Sequence, residues 1–182
     1  MPRACGLYDR DLLDALEALQ PEPFSGTAWR TTWATRDPLI GSTAGGRWHP
    51  DNSFEALYTS TEPDGSLAEV YFHLARAPVF SSAHVRLHRL RVETQRTLRL
   101  DLEVLGSLGI EAARYSAMDY ARTREIGAAA HFLEFDSLLV PSPRWPCVNL
   151  VLFLDRLDPD SLAVEEVREV NWPAWREKHK RS

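Results

Sequence analysis

A mixed α+β fold is predicted by three features of the 182-residue sequence. Segments with helical spacing of apolar residues are interspersed with short strand-like runs. Their order lacks the regular crossover rhythm that an all-parallel sheet imposes. Ser137–Pro141 and Val148–Leu154 are unbroken apolar runs of strand length, the signature of central strands covered on both faces.

Taken in order, Leu12, Leu13, Leu16 and Leu19 place an amphipathic helix over Asp9–Gln20, and Pro21 with Pro23 ends it. Ala28–Trp33, short and rich in aromatics and threonine, reads as a strand carrying Arg30. Arg36–Gly46 holds Asp, Pro, Gly and Ser and reads as a loop that delivers Arg47 at its exit. Ala56–Thr59 is a further strand. Pro63-Asp64-Gly65-Ser66 then opens a helix with Leu67, Val70, Tyr71 and Leu74 on one stripe, and Glu69 near its N-terminal end, where the helix dipole favours a carboxylate. Ala83–Val92 alternates but changes phase between Leu87 and Leu90, which predicts a strand with a bulge. Met118, Ile126, Ala129, Ala130 and Leu133 place a long helix over Ala117–Phe135, and Val164–Val170 reads as a late strand.

One domain, residues 1–182, accommodates this length, and the composition is that of an ordinary soluble globular protein. A formal net charge of −5 argues against nucleic acid as a direct partner, since such proteins carry a basic face. The dense basic run Arg176–Arg181 reads as a solvated helix end or tail. No apolar run reaches the roughly 18 residues that a membrane helix needs, and charges stand where a signal peptide would be apolar, so the expected location is cytoplasmic with no membrane partner. Cys5 and Cys147 are too few for a disulfide framework or a zinc site, and the six histidines show no metal-ligand spacing, so no metal is expected. His73, His84, His88 and His131 read as structural or surface residues.

The chemistry-bearing stretch is Gly45-Gly46-Arg47-Trp48-His49-Pro50, with Tyr58 and Glu69 downstream. Arginine presents a planar fork matched to phosphate oxygens, and the glycines let a bulky anion approach the backbone. Tyrosine can stack on a flat ring, and a carboxylate can stabilise a sugar cation. Together they suggest chemistry at a nucleotide glycosidic bond. Trp48 reads as core. Glu69 sits between Ala68 and Val70, an apolar context that makes an inward-facing carboxylate costly without a task. Ser142 has no recognisable histidine–acid pair and reads as a hydrogen bonder, not a nucleophile. A Gly-x-Gly-x-x-Gly opening a helix is absent from the sequence, so Rossmann-type redox chemistry is unsupported.

Ala28-Trp29-Arg30, Gly45–Pro50, Leu57–Ser60, Leu67–Leu74, Phe135–Arg144 and Asn149–Phe153 resemble the successive blocks of the RES-domain toxins, the toxin components of bacterial toxin–antitoxin pairs. The match departs at His49, where that family more often has asparagine. The resemblance implies a compact fold similar to diphtheria-toxin-like ADP-ribosyltransferases. It also implies that NAD⁺ is consumed as a substrate, with no cofactor, and that an antitoxin protein is the cognate partner. Carried onto this chain, the catalytic residues are Glu69, Arg47 and Tyr58, and the NAD⁺-binding residues are Arg30, Arg47, Tyr58, Ser142 and Asn149. Nicotinamide departs as a neutral ring, so one carboxylate suffices where a glycosidase uses two. Glu69 would stabilise the ribosyl cation, Arg47 with Arg30 would clamp the pyrophosphate, Tyr58 would stack on nicotinamide, and Ser142 and Asn149 would orient the nicotinamide-ribose half. The acceptor stays open between water, phosphate and a protein side chain, as does a non-catalytic nucleotide- or protein-binding module. Self-association through an edge strand or helix is a further expectation.

Overall fold

A computed structural model describes residues 8–76 and 84–179. Among the described residues, five α-helices, α1 (Arg10–Glu17), α2 (Pro63–Leu74), α3 (Leu102–Ser107), α4 (Ala121–Phe132) and α5 (Trp172–His179), accompany a seven-stranded sheet. Its strands are β1 (Glu22–Trp33), β2 (Ser42–Ala44), β3 (Asp51–Ser60), β4 (Val85–Arg99), β5 (Ser137–Pro141), β6 (Val148–Phe153) and β7 (Leu162–Glu169). β4 and β5 run parallel and the other pairs antiparallel, so the sheet is mixed, as the irregular alternation predicted.

β1 lies along β4 from Glu22 opposite Thr97 to Trp33 opposite Val85. β4 continues to β5, β5 to β6 and β6 to β3, and β3 returns to β1 through Trp29 opposite Ser60. These strands therefore close a ring, with β2 added on β3 and β7 on β4. β1 and β3 meet through that single registered pair, and residues of both strands line a cavity.

The apolar runs Ser137–Pro141 and Val148–Phe153 are central strands, and Leu138, Leu150, Leu152 and Phe153 are fully buried. One core cluster joins Leu138, Val151 and Phe153 to Leu12 and Leu16 of α1 and to Ile126, Ala129 and Ala130 of α4. Truncating one of its leucines to alanine would cost about 2–5 kcal/mol. A second cluster gathers Leu57, Leu90, Val92, Leu139, Leu150 and Leu152. A third seats α2 through Leu67 and Leu74 against Leu87 and Trp172.

Several boundaries differ from the sequence reading. β1 begins at Glu22, in spite of Pro23, because the β1–β4 register shifts between Glu22 and Phe24, where a missing N–H costs the ladder least. β4 runs on to Arg99, and its phase change coincides with a register shift against β7 at Arg89–Leu90 in which Glu165 is the extra residue. α4 starts at Ala121, whose N–H is met by Asp119 Oδ1 at 3.3 Å, so Met118 lies outside the helix. α3 is a helix that the sequence reading passed over; Asp101 caps it through Val104 N at 2.9 Å. The basic run begins in the last turn of α5, where residues 176–178 are exposed, as the helix-end reading expected; the start of that helix is anchored by buried Trp172 and by Trp175, which donates to Asp64. Cys5 and residue 83 lie outside the described residues, as do residues 180 and 181 of the basic run.

Candidate active site

The cavity measures roughly 390 Å³ and draws its walls from β1, β3, α2, β6 and the loop between β2 and β3. Arg30, Arg47, Tyr58, Glu69 and Asn149 all line it, so the structure brings together residues up to 119 positions apart in sequence, from Arg30 to Asn149. Ser142 stands outside the lining, behind Glu69.

Glu69 lies nearly two turns into α2, not in its first turn, because the helix already begins at Pro63. The dipole argument from its position therefore fails, since that field fades beyond the first turn. What orders Glu69 is side-chain chemistry: Ser142 Oγ and Asn149 Nδ2 each donate to Oε1 at 3.1 Å. Pro141 ends β5, and Ser142 N donates to Cys147 O at 2.9 Å, which turns the chain so that the Ser142 hydroxyl reaches α2. Asn149 lies on β6 between Val140 and Ser60, fixed by register on both sides. Both donors are neutral and bind one oxygen, so the carboxylate is oriented without a close ion pair, and Oε2 is left for a ligand.

Arg47 is arranged differently. Its side chain is buried, and it donates to Tyr115 O at 2.7 Å and Ala117 O at 3.2 Å. The guanidinium carbon lies 4.5 Å from the Tyr120 ring centroid and 5.2 Å from that of Tyr115. The expected pyrophosphate clamp is thus already half engaged with backbone, and it ties the segment before α4 to the cavity wall. Arg30 donates to Ile40 O at 3.0 Å, and burial together with Arg36 draws its pKa down to about 10, so it remains a cation at neutral pH.

Tyr58 lines the cavity, while its hydroxyl accepts from Trp48 N at 2.9 Å and meets His49 Nδ1 at 2.8 Å. The hydroxyl carries one proton and can accept more than one bond, so it either donates to His49 Nδ1 or accepts from it, and the contact ties the ring to the loop in both cases. Burial raises the Tyr58 pKa and lowers that of His49, so both are neutral. His49 therefore does for the loop what a smaller polar residue could do only by a different contact. Gly46 is required here: a Cβ would stand 2.5 Å from the Tyr58 hydroxyl. Gly127 matters equally, because a Cβ there would strike the Trp48 carbonyl and push α4 off the loop. Trp48 itself is core, as predicted.

Sequence reasoning missed His73, Tyr120, Met118 and Arg144, all of which line the cavity. His73 follows Glu69 by four residues on α2, so the shared helix face was a usable signal. It was read instead as structural or surface; burial lowers its pKa and Glu69 opposes the shift. Arg144 follows Ser142 by two residues, between Pro143 and Trp145, a context that points to no role. Tyr120 and Met118 carried no signal, since their segment read as helix. His88 and His131 are structural, bonded to Thr32 and Asp155 respectively, and His84 pairs at the surface with Glu169. Among the described residues, no three or more His, Cys, Asp or Glu side chains are grouped to hold a metal ion, and no helix is long and apolar enough to cross a membrane.

Residues 26–176 match the model of the RES domain. The chain belongs to the RES domain family. Over 166 residues, 87% of this chain and 89% of the relative, it is 27% identical to the NAD(+) phosphorylase MbcT of Mycobacterium tuberculosis, and the same figures hold for the protein of that name from Mycobacterium bovis. The crystal structure of the M. tuberculosis MbcT–MbcA toxin–antitoxin complex contains a chain that superposes with a TM-score of 0.80 at 28% identity, covering 93% of this RES-domain chain and 97% of its own. The mixed sheet is thus shared with a toxin of known structure.

Proposed function

We propose that this protein is the toxin of a toxin–antitoxin pair and that it cleaves the nicotinamide–ribose bond of NAD⁺, passing the ADP-ribosyl group to inorganic phosphate. The observation that carries this reading is Glu69, a carboxylate held by two neutral donors, Ser142 and Asn149, in a cavity that also holds arginines and a tyrosine ring. Likeness to an NAD(+) phosphorylase along nearly the whole chain supports phosphate over water or protein as the acceptor. By the same resemblance, we infer a diphtheria-toxin-like ADP-ribosyltransferase type of fold, and a cognate antitoxin as partner.

In this mechanism NAD⁺ is a substrate and the residues of the chain act by position and charge. Arg30 and the unbonded edge of Arg47 face the pyrophosphate, while the Tyr58 ring packs on the nicotinamide. As the C1′–N bond breaks, its electron pair passes to the nicotinamide nitrogen, and Glu69 stabilises the charge that develops on the ribose. A phosphate oxygen then supplies the pair for the new C1′–O bond. Incubation of the purified protein with NAD⁺, with and without phosphate and with a chelator, tests this. Nicotinamide and ADP-ribose 1″-phosphate are expected in equal amounts, dependent on phosphate and indifferent to chelator. Release of nicotinamide without phosphate dependence would make the protein a hydrolase, and no release at all would leave a binding module.

A further inference from the structure

A second cavity, roughly 630 Å³, adjoins the first, and Arg144 lines both. Its walls include Phe72, Arg76, Trp145 and Arg176. The guanidinium carbons of Arg144 and Arg76 lie 3.4 and 4.2 Å from the centroid of the same Phe72 ring. Neither forms an ion pair with a carboxylate of the described residues, in a protein whose net charge is −5. Two arginines stacked near one ring and outside any close ion pair, Arg144 on the wall shared by the two cavities and Arg76, which also donates to Met118 Sδ, on the second alone, suit a small anion.

The position of Arg144 relative to Glu69 makes that anion a reactant. The main-chain N–H of Arg144 donates to Ser142 Oγ at 3.3 Å, the same Oγ donates to Glu69 Oε1 at 3.1 Å, and the two side chains line one cavity, with Glu69 close enough to favour the charged form of Arg144. A phosphate at Arg144 thus stands beside the carboxylate that faces the ribosyl cation, and the two arginines offset the repulsion between phosphate and Glu69. Arg30 and Arg47 are less suited, because each already donates to backbone carbonyls and lies on the part of the wall assigned above to the pyrophosphate.

Building on the phosphorolysis reading, we propose that Arg144 and Arg76 form the binding subsite for the acceptor phosphate, which enters through the second cavity. Hydrogen phosphate attacks C1′ through one oxygen as nicotinamide leaves with the C–N bond pair. Its remaining proton stays on the product phosphoryl group and exchanges with water, so no protein base is needed.

The test measures nicotinamide release with phosphate varied at saturating NAD⁺ and NAD⁺ varied at saturating phosphate, for wild type, Arg144→Ala, Arg144→Lys and Arg76→Ala. Arg144→Ala should raise the phosphate KM tenfold or more while the NAD⁺ KM changes less than threefold, and Arg144→Lys should recover part of the loss. Arg76→Ala should move the phosphate KM in the same direction by a smaller factor. The ratio of ADP-ribose to ADP-ribose 1″-phosphate should also rise as water replaces the missing anion. An unchanged phosphate KM in Arg144→Ala or in Arg144→Lys, or an equal rise in both KM values, overturns the subsite and leaves phosphorolysis standing. A wild type whose turnover ignores phosphate overturns both readings at once.

Discussion

The Glu69 cluster and the Arg47 loop contribute to the lining of one cavity, yet they spend their polar groups in opposite ways. Glu69 receives two neutral hydrogen bonds on one oxygen and keeps its charge for a ligand. Arg47 donates to two backbone carbonyls and packs near two tyrosine rings, while Tyr58 ties the loop backbone to His49. The first region is built to act on a ligand; the second is built first to keep its own shape and only then to touch one. Adjacent motifs of equal prominence in the sequence therefore carry unequal shares of chemistry and stability, and mutation can separate the shares.

The largest effect should come from Glu69→Gln. The amide keeps the size of the side chain but removes the charge, so kcat for nicotinamide release should drop by about 10²–10³. The melting temperature should stay within about 1 °C, because the site loses charge and not packing. Activity near that of wild type would break the comparison at its chemical end. Arg47→Ala should break it at the other: two charge-assisted bonds vanish from a buried position, costing about 3 kcal/mol of stability in a urea titration as well as raising the NAD⁺ KM. That corresponds to roughly 6–12 °C in a chain of this size. If Arg47→Ala weakens NAD⁺ binding and leaves the urea midpoint in place, Arg47 is a pure clamp and the structural share assigned to it is wrong.

How much of this was legible in sequence depends on the range of the interactions. The buried strands β5 and β6 were visible because burial on both faces writes an unbroken apolar run. α2 was visible through Leu67, Val70, Tyr71 and Leu74, and five of the six proposed site residues do line the cavity. The roles of Ser142 and Asn149 toward Glu69 were not visible, because the contacts span 73 and 80 residues and depend on the register of β6. Arg47 misled for the same reason: its partners are main-chain carbonyls of Tyr115 and Ala117, and a carbonyl has no sequence signature. Met118 was assigned to a helix by periodicity, which cannot sense that the helix begins only at Ala121, whose N–H is met by Asp119 Oδ1 from outside it.

Tyr58→Phe sharpens the comparison inside the second region. The ring remains available to stack on nicotinamide, whereas Trp48 N–H and His49 Nδ1 lose their partner. Stability should drop by about 1–2 kcal/mol with kcat within about threefold of wild type. A kcat loss as deep as that of Glu69→Gln would show that the hydroxyl acts on the substrate and not only on the loop.

The smallest effect is a pH dependence that distinguishes the two regions through their histidines. Burial lowers the pKa of His49 in the loop and of His73 beside Glu69, as it does that of His88. In the window between the lowered folded values and the unfolded value of about 6.5, the unfolded chain binds more protons than the folded one. Stability therefore rises with pH through this window and is lost on acidification, with a slope set by the protons taken up on unfolding. Urea midpoints should accordingly be lower at pH 5.5 than at pH 7.5. His49 is fully buried, with Ser42 and Asp51 opposing the effect of burial, while the part-exposed His73 is answered by solvent and by Glu69. His49→Asn should flatten the midpoint-against-pH slope more than His73→Asn does. The reverse order, or equal slopes, would mean that the Glu69 side of the cavity carries as much of the structure as the loop, and the division of labour between the two regions would not hold.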